Sequence, residues 1–214
     1  IFTRLTGRER EDFVLSSQLT PFGFRRSQTI IYRPACPTCM ACVPVRIDVE
    51  QFKPTRNLNK VQNRNRDLHT RIVSTQNAEP LYPLFIAYQH ARHEQGDMAH
   101  MQHDEFMAMM MEGSENGELL CLEDASNNII AAMLVDRLAG GTSAVYSFFD
   151  PALDKRSLGT ELILRLVEHT AAQHLSYVYL GYWIKECQKM AYKARFPALQ
   201  RLGQHGWEDF NTPT

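Results

Sequence analysis

An α+β fold built on a mixed sheet is what this sequence predicts, from two observations. Three strand-like runs, Glu118–Glu123, Ile129–Arg137 and Ser143–Phe149, are separated by the turn signals Asn127-Asn128 and Gly140-Gly141, the pattern of an antiparallel meander. The last run then leads through a loop and a helix into a further strand, Tyr177–Leu180, which is a strand, loop, helix, strand crossover.

The elements follow in order. A short strand at Thr29–Arg33 precedes a Pro-flanked cysteine loop. An alternating strand, Val43–Val49, and a polar helix from Leu58 to Leu68, rich in Asn and Arg, come next. The pattern changes near Thr75–Pro80. Beyond it Leu81, Leu84, Phe85 and Tyr88 recur at helical spacing, and Asp104–Met111 continues as a Met-rich helix. The crossover helix shows one apolar face in Leu162, Ile163, Leu166, Val167 and Thr170. Two helices, a meander and a crossover form the order of elements in an acyl-CoA N-acyltransferase (GNAT-like) domain. The expected division is a small, basic, cysteine-containing N-terminal module, residues 1–75, followed by the GNAT-like domain, residues 76–214.

The chain has 214 residues, is 44% hydrophobic and 22% charged, and can bury a sizeable core. It has neither an apolar run of membrane-spanning length nor the pattern of a secretory signal at Ile1–Glu11, so a soluble, cytoplasmic protein is expected. The net charge of −1 hides an asymmetry. Phe22–Arg71 holds ten Lys or Arg against three acids, a local charge of +7, and the remainder carries −8. Such a block suits a polyphosphate backbone, and equally a solvated face.

Five cysteines, an odd number without a secretory signal, do not read as a disulfide framework. Cys36, Cys39 and Cys42 follow a C-x2-C-x2-C pattern whose thiolates could converge on zinc or an iron–sulfur cluster, but a fourth ligand is not identified by spacing. Reduced cysteines in a tight loop are the alternative. Cys121, inside an apolar strand, reads as core.

Two further segments carry candidate chemistry. The loop Asp150–Gly159 leaves a strand and opens a helix; its free N–H groups, with Lys155 and Arg156, suit a phosphate or a carbonyl oxygen, and the plain alternative is a helix capped by Ser157. It supplies only Gly159 where coenzyme A enzymes have a glycine-rich loop, which disfavours acetyl-CoA. The aromatic strand from Tyr177 ends at Gly181 and is followed by Lys185, Lys189, Tyr192 and Lys193, a grouping that suits an adenine ring with its phosphates or an ordinary core. His90, His93, His100 and His103 lack a metalloprotease spacing and read as a solvated helix face.

These segments together resemble the bacterial branch of the arginyl/leucyl-tRNA–protein transferase family. The likeness runs in order through Gly23-Phe-Arg-Arg-Ser27, Tyr32-Arg-Pro-Ala-Cys-x2-Cys-x2-Cys-Val-Pro-Val-Arg46, Phe52-Lys-Pro54, Arg66-Asp-Leu68, Ala91-Arg-His93, Phe148-Phe-Asp-Pro151, Ser157-Leu-Gly-Thr160, and Leu180-Gly-Tyr-Trp-Ile184 with Lys189-Met-x-Tyr-Lys193. A further cysteine that members carry near the N-terminus has no match ahead of Cys36.

The resemblance implies transfer of leucine, or in the sister branch arginine, from aminoacyl-tRNA to proteins with N-terminal Asp or Glu, in the N-degron pathway, with no cofactor needed for the reaction. It suggests Tyr146, Asp150 and Tyr182 as catalytic residues, with the two tyrosines relaying a proton. Lys155, Arg156, Ser157, Gly159, Gly181, Lys189, Tyr192 and Lys193 would hold the aminoacyl-tRNA end. Arg25, Arg26 or Arg46 would take the acceptor's carboxylate, since a guanidinium makes a bidentate contact that a lysine does not. Other classes left open are a coenzyme A-dependent N-acetyltransferase and a non-enzymatic RNA- or metal-binding regulator.

Overall fold

The computed structural model describes residues 1–112 and 116–210. In chain order the elements are β1 (Phe2–Arg4), α1 (Glu9–Leu19), β2 (Arg25–Ser27), β3 (Ile30–Tyr32), β4 (Val43–Asp48), α2 (Arg56–Arg64) and β5 (His69–Ser74). Then come α3 (Tyr82–His93), α4 (His103–Met111), β6 (Gly117–Glu123), β7 (Ile129–Leu138), β8 (Gly141–Phe149) and α5 (Leu158–Ala172). The chain closes with β9 (Tyr177–Trp183), α6 (Gln188–Ala191), β10 (Leu199–Gly203) and β11 (Gly206–Asp209).

The main sheet has eight strands in the order β11-β10-β4-β9-β8-β7-β6-β5. Its pairs are antiparallel except β8 with β9, which run parallel as the α5 crossover requires. The expected meander and crossover are both present, and the fold is mixed α/β. The cysteine-bearing segment does not precede this sheet as a separate layer: β4 is its interior strand between β9 and β10, and β5 is its edge beside β6. A small sheet, β1-β3-β2, is tied to the large one by a buried bidentate pair, with Arg26 Nε 2.7 Å from Asp136 Oδ2 on β7.

Strands β6 and β7 carry continuous apolar runs, Leu119–Leu122 and Ile129–Val135, because both of their faces are covered. On β6 and β7, Leu120, Leu122, Met133 and Val135 pack with Leu162, Ile163 and Leu166 of α5. The alternate residues Leu119, Cys121, Ala132 and Leu134 pack with Phe85 of α3 and Phe106 and Met110 of α4. The period of two thus divides one continuous run between two cores. Cys121 is fully buried there, as expected, and burial holds its thiol up at about 12.

Helix α2 is shorter than its periodicity suggested. Thr55 caps it by accepting from Leu58 N, and Asn65 ends it by leaving helical geometry and turning its own amide onto Val61 O. No helix among the described residues is long and apolar enough to cross a membrane.

Candidate active site

Strands β8 and β9 pair only over Gly141–Ser143 against Tyr177–Tyr179, yet both continue well past that point. Where they part, a cavity of about 690 Å³ opens between Ala144–Ser147 on one side and Leu180–Tyr182 on the other. Its rim is the first turn of α5 with Ser157, Gly159 and Thr160, its far wall is Tyr88, Arg92 and His93 of α3, and Lys189, Tyr192 and Lys193 close the end. Met133, Ile163 and Leu180 give it an apolar floor.

Strand β9 bends into this site at Gly181, where φ is +78° and the pairing with β4 shifts register between Val45 and Arg46. A Cβ at Gly181 would lie 3.0 Å from Arg25 Nε. Glycine is therefore needed both for the left-handed backbone and for the close approach of the guanidinium.

Arg25 reaches the cavity from β2. Its Nη1 donates to Ser143 Oγ at 2.7 Å and its Nη2 to Ala144 O. These partners are neutral and no carboxylate pairs with it among the described residues, so burial lowers its pKa. Lys193 is the second such cation. Its Nζ donates to Tyr182 O at 2.6 Å, and burial, with the charge of Arg25 adding to it, brings the ammonium down to about 7. At the mouth, Lys189 Nζ lies 3.1 Å from His93 Nδ1, and burial followed by that charge lowers the imidazole pKa. Among the described residues, Asp154 is the one carboxylate in the lining.

Two tyrosines behave differently. Tyr146 accepts from Gln89 Nε2 at 2.6 Å, a bond that does not use the phenol's own hydrogen, and burial raises its pKa. Tyr182 donates to Gly23 O at 2.8 Å, and its pKa is pushed up to about 12 by burial first and Tyr32 second. The Tyr182 hydroxyl is thus engaged with Gly23 O rather than directed to a partner in the cavity.

Of the residues singled out from sequence, Arg25, Tyr146, Ser157, Gly159, Gly181, Tyr182, Lys189, Tyr192 and Lys193 come together in this cavity. Others do not. Arg26 is consumed by Asp136, and Arg46 stacks 3.5 Å over Tyr177 and 4.3 Å over Trp207 while donating to Gln200, so neither is free for an acceptor carboxylate. That stacking also removes Tyr177 from any adenine site. Arg156 turns outward to Asp67 and Asn65, Lys155 is exposed beside it, and Asp150 caps the Pro151–Arg156 turn through Ala152 N. Ser157 sits at the N-cap of α5 but in left-handed geometry with no side-chain cap bond, so the ordinary capping reading is corrected as well.

The sequence reading gives Arg92, Tyr88 and Gln89 no role in the site, although Arg92 falls within the Ala91-Arg-His93 match and Tyr88 on the apolar face of α3, and it places His93 on a solvated face. The signal available was the spacing of Tyr88 and Arg92, one helical turn apart. Cys36 and Cys39 are exposed and Cys42 is partly buried, its pKa raised by burial and by the other two thiols. Among the described residues no group of three or more His, Cys, Asp or Glu is placed to hold a metal, and Cys121 lies in a separate core cluster.

Comparison with known proteins bears on the whole chain. Fold-level likeness extends to the solved structure of L-PGS from Bacillus licheniformis, with a TM-score of 0.52, 15% identity, and coverage of 86% of this chain and 52% of that one. FemX is similar at a TM-score of 0.50 and 8% identity, over 80% of this chain and 60% of that one. In sequence, the aspartate/glutamate leucyltransferase of Saccharophagus degradans is 43% identical over 92% of this chain and 83% of its own length. That of Paramagnetospirillum magneticum is 42% identical over 98% and 85%. The family models for the N terminus and C terminus of arginine-tRNA-protein transferase match residues 5–60 and 81–203. With both matches in sequence order and the cavity built from residues of each, this chain belongs to the arginine-tRNA-protein transferase family.

Proposed function

We propose that this chain transfers leucine from Leu-tRNA to the N-terminal Asp or Glu of acceptor proteins. The observation that carries this is the cavity's lining. Among the described residues four basic side chains, Arg25, Arg92, Lys189 and Lys193, and one carboxylate, Asp154, line it above an apolar floor. An arginyl donor would bring a fifth cation into that field; a leucyl side chain instead meets Met133, Ile163 and Leu180. The acceptor's carboxylate goes to the guanidinium of Arg25, which has no carboxylate partner among the described residues.

The reaction is aminolysis of an ester. The acceptor's α-amine attacks the aminoacyl carbonyl carbon, and the ribose oxygen leaves with the electron pair of the broken C–O bond. Lys193 in its neutral form takes the proton that the amine loses, and its ammonium can return a proton to the departing ribose oxygen. Tyr146 donates its free hydroxyl hydrogen to the carbonyl oxygen as negative charge develops there, with the first turn of α5 contributing its dipole. The donor is already an activated ester, so this scheme uses no metal or redox cofactor. Residues 1–75 then supply Arg25 and the basic surface, and residues 76–214 most of the cavity. The substrates are those of N-degron tagging in the cytoplasm.

Purified protein with labelled Leu-tRNA or Arg-tRNA, and peptides beginning with Asp, Glu, Arg or Lys, tests the assignment. Label from leucine on the Asp and Glu peptides is expected. Arginine on the same peptides would move the chain to the sister activity, and absence of transfer with every pair would leave the fold without this function.

A further inference from the structure

Helix α2 presents a charged ridge that nothing in the catalytic scheme uses. Arg56, Lys60 and Arg64 are spaced four residues apart and all are exposed. Each step advances about 6 Å along the helix and turns it only about 40°, so the three form one row. Lys53 precedes the row, Arg66 follows it and Lys155 lies beside its end, all exposed. None of these six forms an ion pair among the described residues, because Asp67 is taken by Arg156, and Glu168 by Arg165 and Gln62. The opposite side of α2 is anchored by Leu58 and Val61 in the core, which fixes the row outward.

The row is also joined to the cavity. Arg64 donates to Lys155 O, Asn65 Nδ2 to Arg156 O at 2.9 Å, and Arg156 Nε returns to Asn65 Oδ1 at 2.9 Å. Asp154 and Ser157, on either side of that clasp, line the cavity. The clasp therefore joins the cationic row and the cavity rim into one continuous surface.

We propose that the exposed face of α2, with Lys53, Arg66 and Lys155, is the docking surface for the sugar–phosphate backbone of the donor RNA's acceptor arm. This rests on the transferase reading above, since the arm must lie where its aminoacylated 3′ end can enter the cavity. A row of unpaired cations ending at the rim meets that requirement, and lysines and arginines there release counterions from phosphates on contact. The recognition is of backbone charge, with no base read directly.

The test uses the full chain with Arg56→Glu, Lys60→Glu and Arg66→Glu, singly and combined, and the neutral set Arg56→Gln, Lys60→Gln and Arg66→Gln in case charge reversal harms folding. Arg10→Glu, an exposed change on α1, is the control. Two donors are compared: full-length Leu-tRNA and a leucyl ester of a short 3′-terminal oligonucleotide that lacks the duplex arm. Each reversal is expected to raise KM for Leu-tRNA about three- to tenfold and to lower the log–log salt slope by about one. The preference for Leu-tRNA over the short donor should fall accordingly, while Arg10→Glu keeps it.

An unchanged KM and salt slope in active variants overturns the docking surface alone, as does a rise confined to the acceptor peptide's KM, which would assign the row to the acceptor. A wild-type chain that uses neither donor overturns the transferase reading and the docking proposal with it.

Discussion

Replacing Lys193 by methionine separates its two roles, as a buried charge and as a base. The fall of its pKa from the ordinary 10.5 to about 7 corresponds to about 5 kcal/mol, at about 1.4 kcal/mol per pH unit. In the unfolded chain the lysine holds its proton up to the ordinary value, whereas in the folded chain it loses it near 7. Between those limits the unfolded state binds more protons, so wild-type stability rises with pH. Below about pH 7 the full penalty is present, and above about 10.5 it is gone.

Lys193→Met removes the penalty and gives up one hydrogen bond to Tyr182 O, a loss of about 1 kcal/mol. The variant should therefore be more stable than wild type by up to about 4 kcal/mol at pH 6 to 7, with the two converging toward pH 10. Urea unfolding at pH 6, 8 and 10 reads this directly. In the transfer assay kcat/KM should fall about 10²- to 10⁴-fold. The wild-type pH–rate limb near 7 should vanish, leaving only the titration of the acceptor's own amine, which both proteins share. Parallel stability curves across that range would refute the buried-charge argument. A loss of less than tenfold with the limb intact would refute the base.

Arg25→Gln should abolish the preference for acidic N-termini and raise the acceptor's KM, measured with Asp, Glu and Ala peptides. Arg26→Ala should leave that preference intact but destabilise the fold by about 3 to 5 kcal/mol in chemical denaturation, because Asp136 is left buried without its partner. Tyr146→Phe should lower kcat about 10²-fold with KM little changed, since the hydroxyl acts on charge that exists only in the transition state. Gly181→Ala, at a φ of +78° and 3.0 Å from Arg25 Nε, should cost about 1 to 2 kcal/mol of stability and weaken acidic-acceptor selectivity, read by melting and peptide competition.

Patterns of local origin were legible from the start. The meander is written in Asn127-Asn128 and Gly140-Gly141 between apolar runs, and α5 in the periodicity of Leu162, Ile163, Leu166 and Val167. Strands β5, β10 and β11 were not anticipated. Exposed His69, Thr70 and Arg71 lie on the sheet edge, and β10 is held between β4 and β11, so their strand state comes from pairing rather than composition. Among the arginines, residue type alone made Arg25, Arg26 and Arg46 equivalent candidates. What separates them is the nearest partner, a backbone carbonyl, a carboxylate and an aromatic face respectively, and each of those arrives from more than a hundred residues away.

The sequence by itself determined the meander and the crossover, the apolar faces that form the core and the concentration of basic charge before residue 72, because these depend on neighbours a few positions apart. The tertiary structure decided where the cavity is. It arises from the place at which β8 and β9 stop pairing, and only long-range packing sets that place. It also decided which cations remain without a counter-charge, since burial and pairing are properties of the assembled molecule.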